Sequence, residues 1–189
     1  MGTQAISFLC SGESPGRLGN AHPQIMPYQV FKTADGHMII GVGNDGQFQR
    51  FCKAIGRPEL SADPRFAENW LRIAEREVLT ALLAPIMQTR GKSEWMALLE
   101  PVNVPCGPIN NMQDVFDEPQ VIHRQLRVDL PHASGAVAPT VASPMRFSRT
   151  PVEYRAAPPA LGQHTDEVLR TILGKTSAEI QRLKSDGVL

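Results

Sequence analysis

The hydrophobic and polar pattern near the start of the chain is that of two short strands. Residues 28–31 and 37–42 are β-type runs on either side of Asp35-Gly36. An Asp-Gly pair between apolar runs is typical of a hairpin with a type I′ turn, because both central positions of that turn need positive φ. We therefore predict an antiparallel hairpin closed at Asp35-Gly36.

The segment after the hairpin has the spacing of an amphipathic helix. Asn44 is a good N-cap, and Gln47 can return a hydrogen bond to the cap amide. Gly56 and Pro58 end the helix, and residues 59–66 then form an irregular link. The apolar residues of the helix fall on one face at helical spacing, namely Phe48, Phe51, Cys52 and Ile55.

Helical patterns dominate the middle of the chain. Residues 68–89 are predicted to be helical, with two segments or a kink caused by Pro85. A short helix begins near Ser93, which is a plausible cap, and Asn111 caps a further helix that is interrupted near Pro119. The apolar face of the long helix consists of Leu79, Leu82, Leu83, Ile86 and Met87.

The last third of the chain has a β-type pattern first, then a proline-rich segment and then two helical patterns. Residues 126–130 and 145–148 alternate in β fashion around Gly135. Residues 150–162 are rich in proline and are predicted to form an ordered linker. Two closing helices follow, at 165–173 and 178–183, the second with a capping box formed by Thr176 and Glu179.

This order of elements predicts an α+β fold with a small antiparallel sheet and flanking helices. Residues 1–27 are interpreted as a helix remnant and a linker loop, with breakers at Pro15-Gly16, Gly19-Asn20 and Pro23. Residues 28–149 form the small α+β domain, and residues 150–189 form the proline-rich return linker and C-terminal helices. The apolar faces of those helices must pack on another surface, and the family resemblance described below implies that this is a large α/β domain absent from the chain.

Composition narrows the function classes. The chain has 189 residues, 42% of them apolar, and its 19 basic and 19 acidic residues cancel. A neutral chain has no field that attracts nucleic acid, and no apolar run approaches the roughly 18 residues of a membrane span. Three widely spaced cysteines match neither a zinc site nor a disulfide framework, which favours a reducing, cytoplasmic setting.

Three features of the sequence are candidate sites of chemistry. The glycine-rich stretch 41–46 opens a helix, but it lacks a P-loop lysine and its Asp45 would repel phosphate, so a structural turn is favoured. Cys106, between turn-forming prolines, is interpreted as a small buried thiol rather than a nucleophile. The five histidines lack metal-ligand spacing, although His22 lies in a loop rich in breakers.

Four segments, in order, carry a resemblance to a known family. They are GNAHPQIMPYQVFKT at 19–33, VPCGPI at 104–109, ASPMRFS at 142–148 and APPALGQHTDEVL at 157–169. With these segments the chain resembles the class III CoA-transferases, the CaiB/BaiF or formyl-CoA transferase-like family, over essentially its whole length. The first segment is similar to the entry into the small domain of those enzymes.

The resemblance implies an activity and a set of substrates. Enzymes of this family move CoA from an acyl-CoA to a carboxylic acid through an acyl-aspartyl mixed anhydride and an aspartyl-thioester, with CoA as substrate and no further cofactor. A carboxylate nucleophile divides one difficult transfer into easier steps. The family enzymes are interlocked dimers, so a homodimer or a two-chain assembly is expected, without nucleic acid or membrane partners.

The resemblance also implies a substrate loop. A loop at the start of the small domain covers the intermediate and excludes water. Formyl-CoA transferases proper carry a run of glycines there. Here His22-Pro23-Gln24 stands instead, which argues against oxalate and formyl-CoA and favours a dicarboxylic or branched acid. The residues that match the loop are Gly19, Asn20, Ala21, His22, Pro23 and Gln24.

None of the eight aspartates matches the family's nucleophile motif, so no catalytic residue is expected in this chain. The chain therefore resembles the C-terminal part of a CoA-transferase. Two alternatives remain open, a partner subunit of a split CoA-transferase and a non-catalytic interaction or scaffold domain. A hydrolase based on Cys106 is disfavoured, because no histidine is placed in sequence to suggest a base.

Overall fold

The computed structural model describes residues 2–14 and 16–189, so Pro15, one of the predicted breakers, lies outside the described residues. The chain divides into two compact units, Met1–Asn111 and Met112–Leu189. This boundary falls inside the segment 28–149 that the sequence pattern groups as one domain, and each unit has its own antiparallel sheet. The predicted α+β class, with small antiparallel sheets and flanking helices, is confirmed.

The predicted hairpin forms the first sheet of the N-terminal unit. Strands β1 (Tyr28–Thr33) and β2 (Gly36–Gly41) pair antiparallel, and β3 (Cys106–Ile109) adds to the other side of β2. Pairing of Thr33 with Gly36 leaves Ala34 and Asp35 as the turn residues, and neither has positive φ. The hairpin is therefore confirmed, whereas the type I′ turn centred on Asp35-Gly36 is wrong.

The Asp35 side chain forms hydrogen bonds inside the turn and to a distant helix. Its carboxylate accepts hydrogen bonds from Thr33 Oγ1 and from the backbone N–H of Lys92, both at 2.9 Å. Lys92 opens helix α6 (Lys92–Leu99), so a side chain of the hairpin caps a helix that begins 57 residues later. Long-range capping, rather than local turn chemistry, is the role of this aspartate.

The N-terminal unit also contains helices, some of which pack on the first sheet. The helices of this unit are α1 (Gly2–Ser11), α2 (Asp45–Ala54), α3 (Glu59–Ala62), α4 (Asn69–Ala74), α5 (Arg76–Met87) and α6 (Lys92–Leu99). Apolar side chains from one face of the hairpin and from α2, α5 and α6 form the core. Its fully buried members include Met26, Met38, Ile40, Phe48, Phe51, Leu79, Leu83, Met87, Trp95 and Leu99.

Most helix signals are confirmed, with shifts at the ends. Asn44 Oδ1 accepts from Gln47 N at 2.9 Å, but the Gln47 side chain accepts from Gly43 N rather than from the cap amide. The predicted irregular link 59–66 contains α3. The cap of α6 is Gly91 instead of Ser93, and Glu94 accepts from the Gly91 N–H at 2.9 Å.

The long helical pattern is interrupted, but not at its proline. The break between α4 and α5 lies at Glu75, and Pro85 is inside α5. Pro85 removes only one intrahelical hydrogen bond, and buried side chains on both sides of it, Leu83 and Met87, hold the helix in the core. The prediction of two segments is confirmed, and the expected place of the break is wrong.

The C-terminal unit, described by itself, contains a two-stranded sheet. Strands β4 (Arg127–Pro131) and β5 (Val137–Val141) pair antiparallel. The predicted partner strand at 145–148 is wrong, because the chain reverses at once: Gly135 has φ +83° and His132 N donates to Ala136 O at 2.9 Å. The helices of this unit are α7 (Met112–Asp117), α8 (Pro119–His123), α9 (Thr165–Thr171) and α10 (Ser177–Ser185).

Two further signals of this unit agree with the sequence pattern. Glu118 separates α7 from α8 beside Pro119, as predicted. Thr176 Oγ1 accepts from Glu179 N, and the Glu179 carboxylate accepts from Thr176 N at 2.8 Å, which completes the predicted capping box. Among the described helices of the whole chain, we find no segment whose length and apolar character would suit a membrane crossing.

Candidate functional site

The loop 19–24 is held against the start of the first sheet. Asn20 Oδ1 accepts from Val30 N at 2.9 Å, and His22 N donates to Tyr28 O at 2.8 Å. Gly19 has φ +61°, a conformation that glycine adopts without the steric cost of a Cβ. The six residues matched to the family's substrate loop therefore form one ordered turn beside β1.

The imidazole of His22 is fixed by its neighbours. Gln24 N donates to His22 Nδ1 at 3.1 Å, and the Tyr28 ring lies 5.4 Å away at a tilt of 49°. A nitrogen that accepts a hydrogen bond carries no proton, so the neutral ring has its proton on Nε2. The half-buried His22 thus offers an Nε2–H donor.

A row of polar residues on α4 and α5 contacts the same loop. Asn69 Nδ2 donates to Gln24 O at 2.8 Å, and its Oδ1 accepts from Met26 N at 3.1 Å. Arg76 Nη2 donates to the carbonyls of His22 and Pro23 at 2.8 and 3.1 Å. The carbonyls of three consecutive loop residues therefore point to one side of the helical pair.

Arg72 occupies the middle of this row and is fully buried. Its Nε donates to Met26 O at 2.8 Å, and its Nη1 donates to Phe66 O at 2.9 Å. Its Nη2 pairs with Asp45 Oδ1 at 2.7 Å, and its guanidinium lies 4.4 Å from the centre of the Phe48 ring. A buried cation needs such partners, and Arg72 links Met26, two residues beyond the loop, to the start of α2.

The loop 19–24 lies next to the positive charge of Arg76. Arg76 makes no ion pair with a carboxylate of the residues that the structure describes, and burial lowers the pKa of its guanidinium. The loop 19–24 contains no acidic residue. The loop and its support therefore offer hydrogen-bond donors and a positive charge, and the loop itself has no carboxylate.

The glycine-rich stretch 41–46 does not form a phosphate cradle. The first three backbone N–H groups of the stretch are already used, since Gly41 N donates to Pro105 O, Val42 N to Pro27 O and Gly43 N to Gln47 Oε1. The Asp45 carboxylate that begins α2 is committed to Arg72. The interpretation as a structural turn agrees with these contacts.

Two of the three cysteines, Cys52 and Cys106, have the character of unreactive thiols. Burial raises the pKa of Cys52 to about 12. Burial, with a smaller effect of Glu100, also raises the pKa of the half-buried Cys106 in β3. Since the thiolate is the reactive form, this environment disfavours Cys106 as a nucleophile. Over residues 2–14 and 16–189 no cluster of three His, Cys, Asp or Glu side chains suits a metal ion.

Sequence reasoning missed the helical row that supports the loop. Asn69, Arg72 and Arg76 are spaced three and four residues apart, a spacing that predicts one face of a continuous helix, although in the structure Arg76 begins α5 after the break at Glu75. Within a segment rich in apolar residues, a polar face at this spacing is a signal that could have been used. It would have indicated a buried polar contact, though not that its partner is the loop 45–54 residues earlier.

Comparison with known proteins gives a consistent family. The model of "CoA-transferase family III" matches residues 1–165. The succinate–glutarate CoA-transferase of Agrobacterium fabrum is 41% identical over 169 residues, which are 89% of this chain and 42% of the relative. The human succinyl-CoA:glutarate CoA-transferase is 37% identical over 185 residues, 98% of this chain and 42% of the relative.

A solved structure shares the fold. The crystal structure of a CaiB/BaiF family protein from Brucella suis aligns with a TM-score of 0.76 at 40% identity, over 88% of this chain and 43% of that one. The chain therefore spans about 42% of the length of the curated relatives that it matches. With a family match over most of its residues, the chain belongs to CoA-transferase family III.

Proposed function

We propose that this chain is the C-terminal portion of a class III CoA-transferase. The whole enzyme moves CoA between an acyl-CoA thioester and a carboxylic acid through an aspartyl intermediate, and the nucleophilic aspartate is not in this chain. The observation that carries the proposal is the family match over residues 1–165 in a chain that covers 42% of its relatives. That match includes the loop 19–24.

The surroundings of the aspartates support a nucleophile outside the chain. Each of these side chains has a structural partner, such as Arg72 for Asp45 and Arg65 for Asp63. A carboxylate nucleophile has to be accessible to the thioester, whereas a carboxylate held in an ion pair or cap is less nucleophilic. The aspartates with such contacts are Asp35, Asp45, Asp63, Asp114, Asp117, Asp129, Asp166 and Asp186.

The proposed carboxylic acid is a dicarboxylate of the succinate and glutarate class. The names of the Agrobacterium and human relatives support this choice. The loop also supports it, because His22-Pro23-Gln24 replaces the glycine run of formyl-CoA transferases. Arg76 lies behind this loop and supplies a positive charge without a partner carboxylate in the described part of the chain.

The proposed role of residues 19–24 is to cover the acyl intermediate and exclude water. Their support by Asn69 and Arg76 favours a loop with a defined conformation, which lowers the entropic cost of closing a site. CoA enters as a substrate, and the proposal includes no other cofactor.

The whole enzyme is proposed to be a homodimer or a two-chain assembly in a reducing, cytoplasmic setting. Apolar side chains of α1 support an assembly, since Ile6 is 63% exposed and Leu9 is 78% exposed. Three free cysteines support a reducing compartment. The same exposed surface favours, as a second candidate, a domain that binds a partner without catalysis.

A graft tests the proposal. This chain replaces the matching 169 residues of the Agrobacterium fabrum relative, and transfer of CoA from succinyl-CoA to glutarate is measured. We expect transfer by the graft and none by the rest of the relative alone. A graft that folds, by circular dichroism and gel filtration, and yet transfers no CoA to glutarate would contradict the proposal.

A further inference from the structure

We propose that Arg76 and Asn69 are positioning residues that hold the loop 19–24 in one conformation and thereby keep His22 as the Nε2–H tautomer. The consequence for CoA transfer depends on the proposed function above. We call the contacts of Arg76 and Asn69 with the loop 19–24 the clamp. The clamp depends only on contacts within the N-terminal unit.

The first step is the direction of the loop carbonyls. His22 O and Pro23 O both accept from Arg76 Nη2, and Gln24 O accepts from Asn69 Nδ2. Three consecutive carbonyl groups would otherwise be satisfied by water in many loop conformations. Charge-assisted hydrogen bonds from Arg76 select one of these conformations, because the bonds to a cation are stronger than those to neutral donors.

The second step connects the backbone to the imidazole. Gln24 N reaches His22 Nδ1 only while the peptide groups of residues 22–24 keep their present orientation. That orientation is fixed from the other side by Asn69 and Arg76. Loss of the clamp therefore frees Nδ1 and lets the two neutral tautomers interchange.

The third step is the geometry of the arginine. A single nitrogen, Nη2, makes both loop contacts of Arg76, while Nη1 lies 3.9 Å from Met26 Sδ. Because one cationic nitrogen suffices, a lysine at this position is expected to recover part of the clamp. An uncharged residue without a hydrogen-bond donor is not expected to recover the clamp.

In the proposed enzyme the clamp would have a chemical use. A fixed Nε2–H group is a donor that need not reorganise when charge develops on an oxygen of the intermediate. Arg76 and Asn69 act through His22 and the loop backbone, so they are positioning residues and are not catalytic ones.

The test uses the chain itself and needs no transferase activity. Long-range ¹H–¹⁵N spectra report the tautomer of His22, with the resonance assigned by a His22→Gln variant. Hydrogen exchange of the His22 and Gln24 amides reports the loop. The variants are Arg76→Ala, Arg76→Lys and Asn69→Ala. The matched control is Arg50→Ala, since Arg50 also donates to two carbonyls, those of Val102 and Asn103.

We expect the Nε2–H tautomer alone in the parent chain and a mixture in Arg76→Ala. The two loop amides should exchange about tenfold faster relative to core amides of β2, with partial recovery in Arg76→Lys and no change in Arg50→Ala. If Arg76→Ala does not fold, Asn69→Ala is expected to show the same mixture. A parent-like tautomer and parent-like exchange in the folded clamp variants would overturn the inference.

This outcome is separate from that of the graft. If the graft is inactive but Arg76→Ala shows the expected mixture of His22 tautomers, the proposed function is contradicted and the clamp is supported. If the graft is active but Arg76→Ala keeps the parent tautomer of His22, the proposed function is supported and the clamp is contradicted.

Discussion

Arg72 Nη2 lies 2.7 Å from Asp45 Oδ1, and this pair joins a guanidinium without solvent exposure to a carboxylate that is 49% exposed. The same guanidinium also binds the carbonyls of Met26 and Phe66. One side chain therefore connects the segment after the loop, the segment before α4 and the start of α2. Three segments therefore pack on a single cation next to the loop.

Replacement of Arg72 by alanine should be strongly destabilising. It removes the ion pair and leaves two carbonyls without their donor, and we expect a loss of about 3 kcal/mol in the free energy of unfolding. Urea unfolding monitored by circular dichroism measures this change. Arg50→Ala, at an exposed arginine, should cost less than about 1 kcal/mol. Equal effects of the two substitutions would contradict the assigned role of Arg72.

The cap formed by Asp35 predicts a pH dependence. The Lys92 N–H, and then Thr33, lower the pKa of Asp35 below its usual 3.8. A depressed carboxyl pKa stabilises the fold above the unfolded-state value, and this contribution is lost as the pH falls through the folded-state value. Asp35→Asn should therefore be less stable than the parent at pH 7, with a difference that shrinks below pH 4. A difference that stays constant down to pH 2 would contradict the cap.

The neighbouring Gly91 offers a second way to disturb this cap. A Cβ at position 91 would lie 2.9 Å from Asp35 Oδ2 and 3.3 Å from its Cγ. Gly91→Ala should therefore displace the carboxylate and lower the thermal midpoint of unfolding. In an Asp35→Ala background the same change should cost much less. Additive effects of the two substitutions would show that they do not share a contact.

The three thiols should differ in reactivity. At pH 8 a disulfide reagent should modify the exposed Cys10 quickly and the half-buried Cys106 slowly. Cys52, whose pKa burial raises to about 12, should react only after unfolding. Cys10→Ser should remove the fast phase alone. A fast phase that persists in Cys10→Ser would contradict the described burial of the other two thiols.

Local patterns predicted the hairpin and most helices because their signals lie within a few residues of each other. The Asn44 cap and the Thr176–Glu179 capping box are examples. The turn type at Asp35-Gly36 failed for the opposite reason. Its aspartate bonds to a backbone N–H 57 residues away, and no local pattern contains that partner.

The candidate loop was located by resemblance, and its support was not predicted at all. Asn69 and Arg76 contact the loop across 45 to 54 residues of sequence. Helical spacing in the sequence predicts a shared face, but the helix breaks at Glu75, and only the packing of α4 and α5 brings both side chains to the loop. The tautomer of His22 follows from a local hydrogen bond, donated by Gln24 N to Nδ1, which the inferred clamp holds in place.

Incubation of the purified chain with succinyl-CoA and glutarate, followed by intact-mass spectrometry and an assay of glutaryl-CoA, tests the central claim most directly. The account predicts neither a covalent CoA adduct on the chain nor any glutaryl-CoA, because the nucleophilic aspartate is proposed to lie in another part of the enzyme. A CoA thioester on any carboxylate of this chain, or sustained formation of glutaryl-CoA, would contradict it.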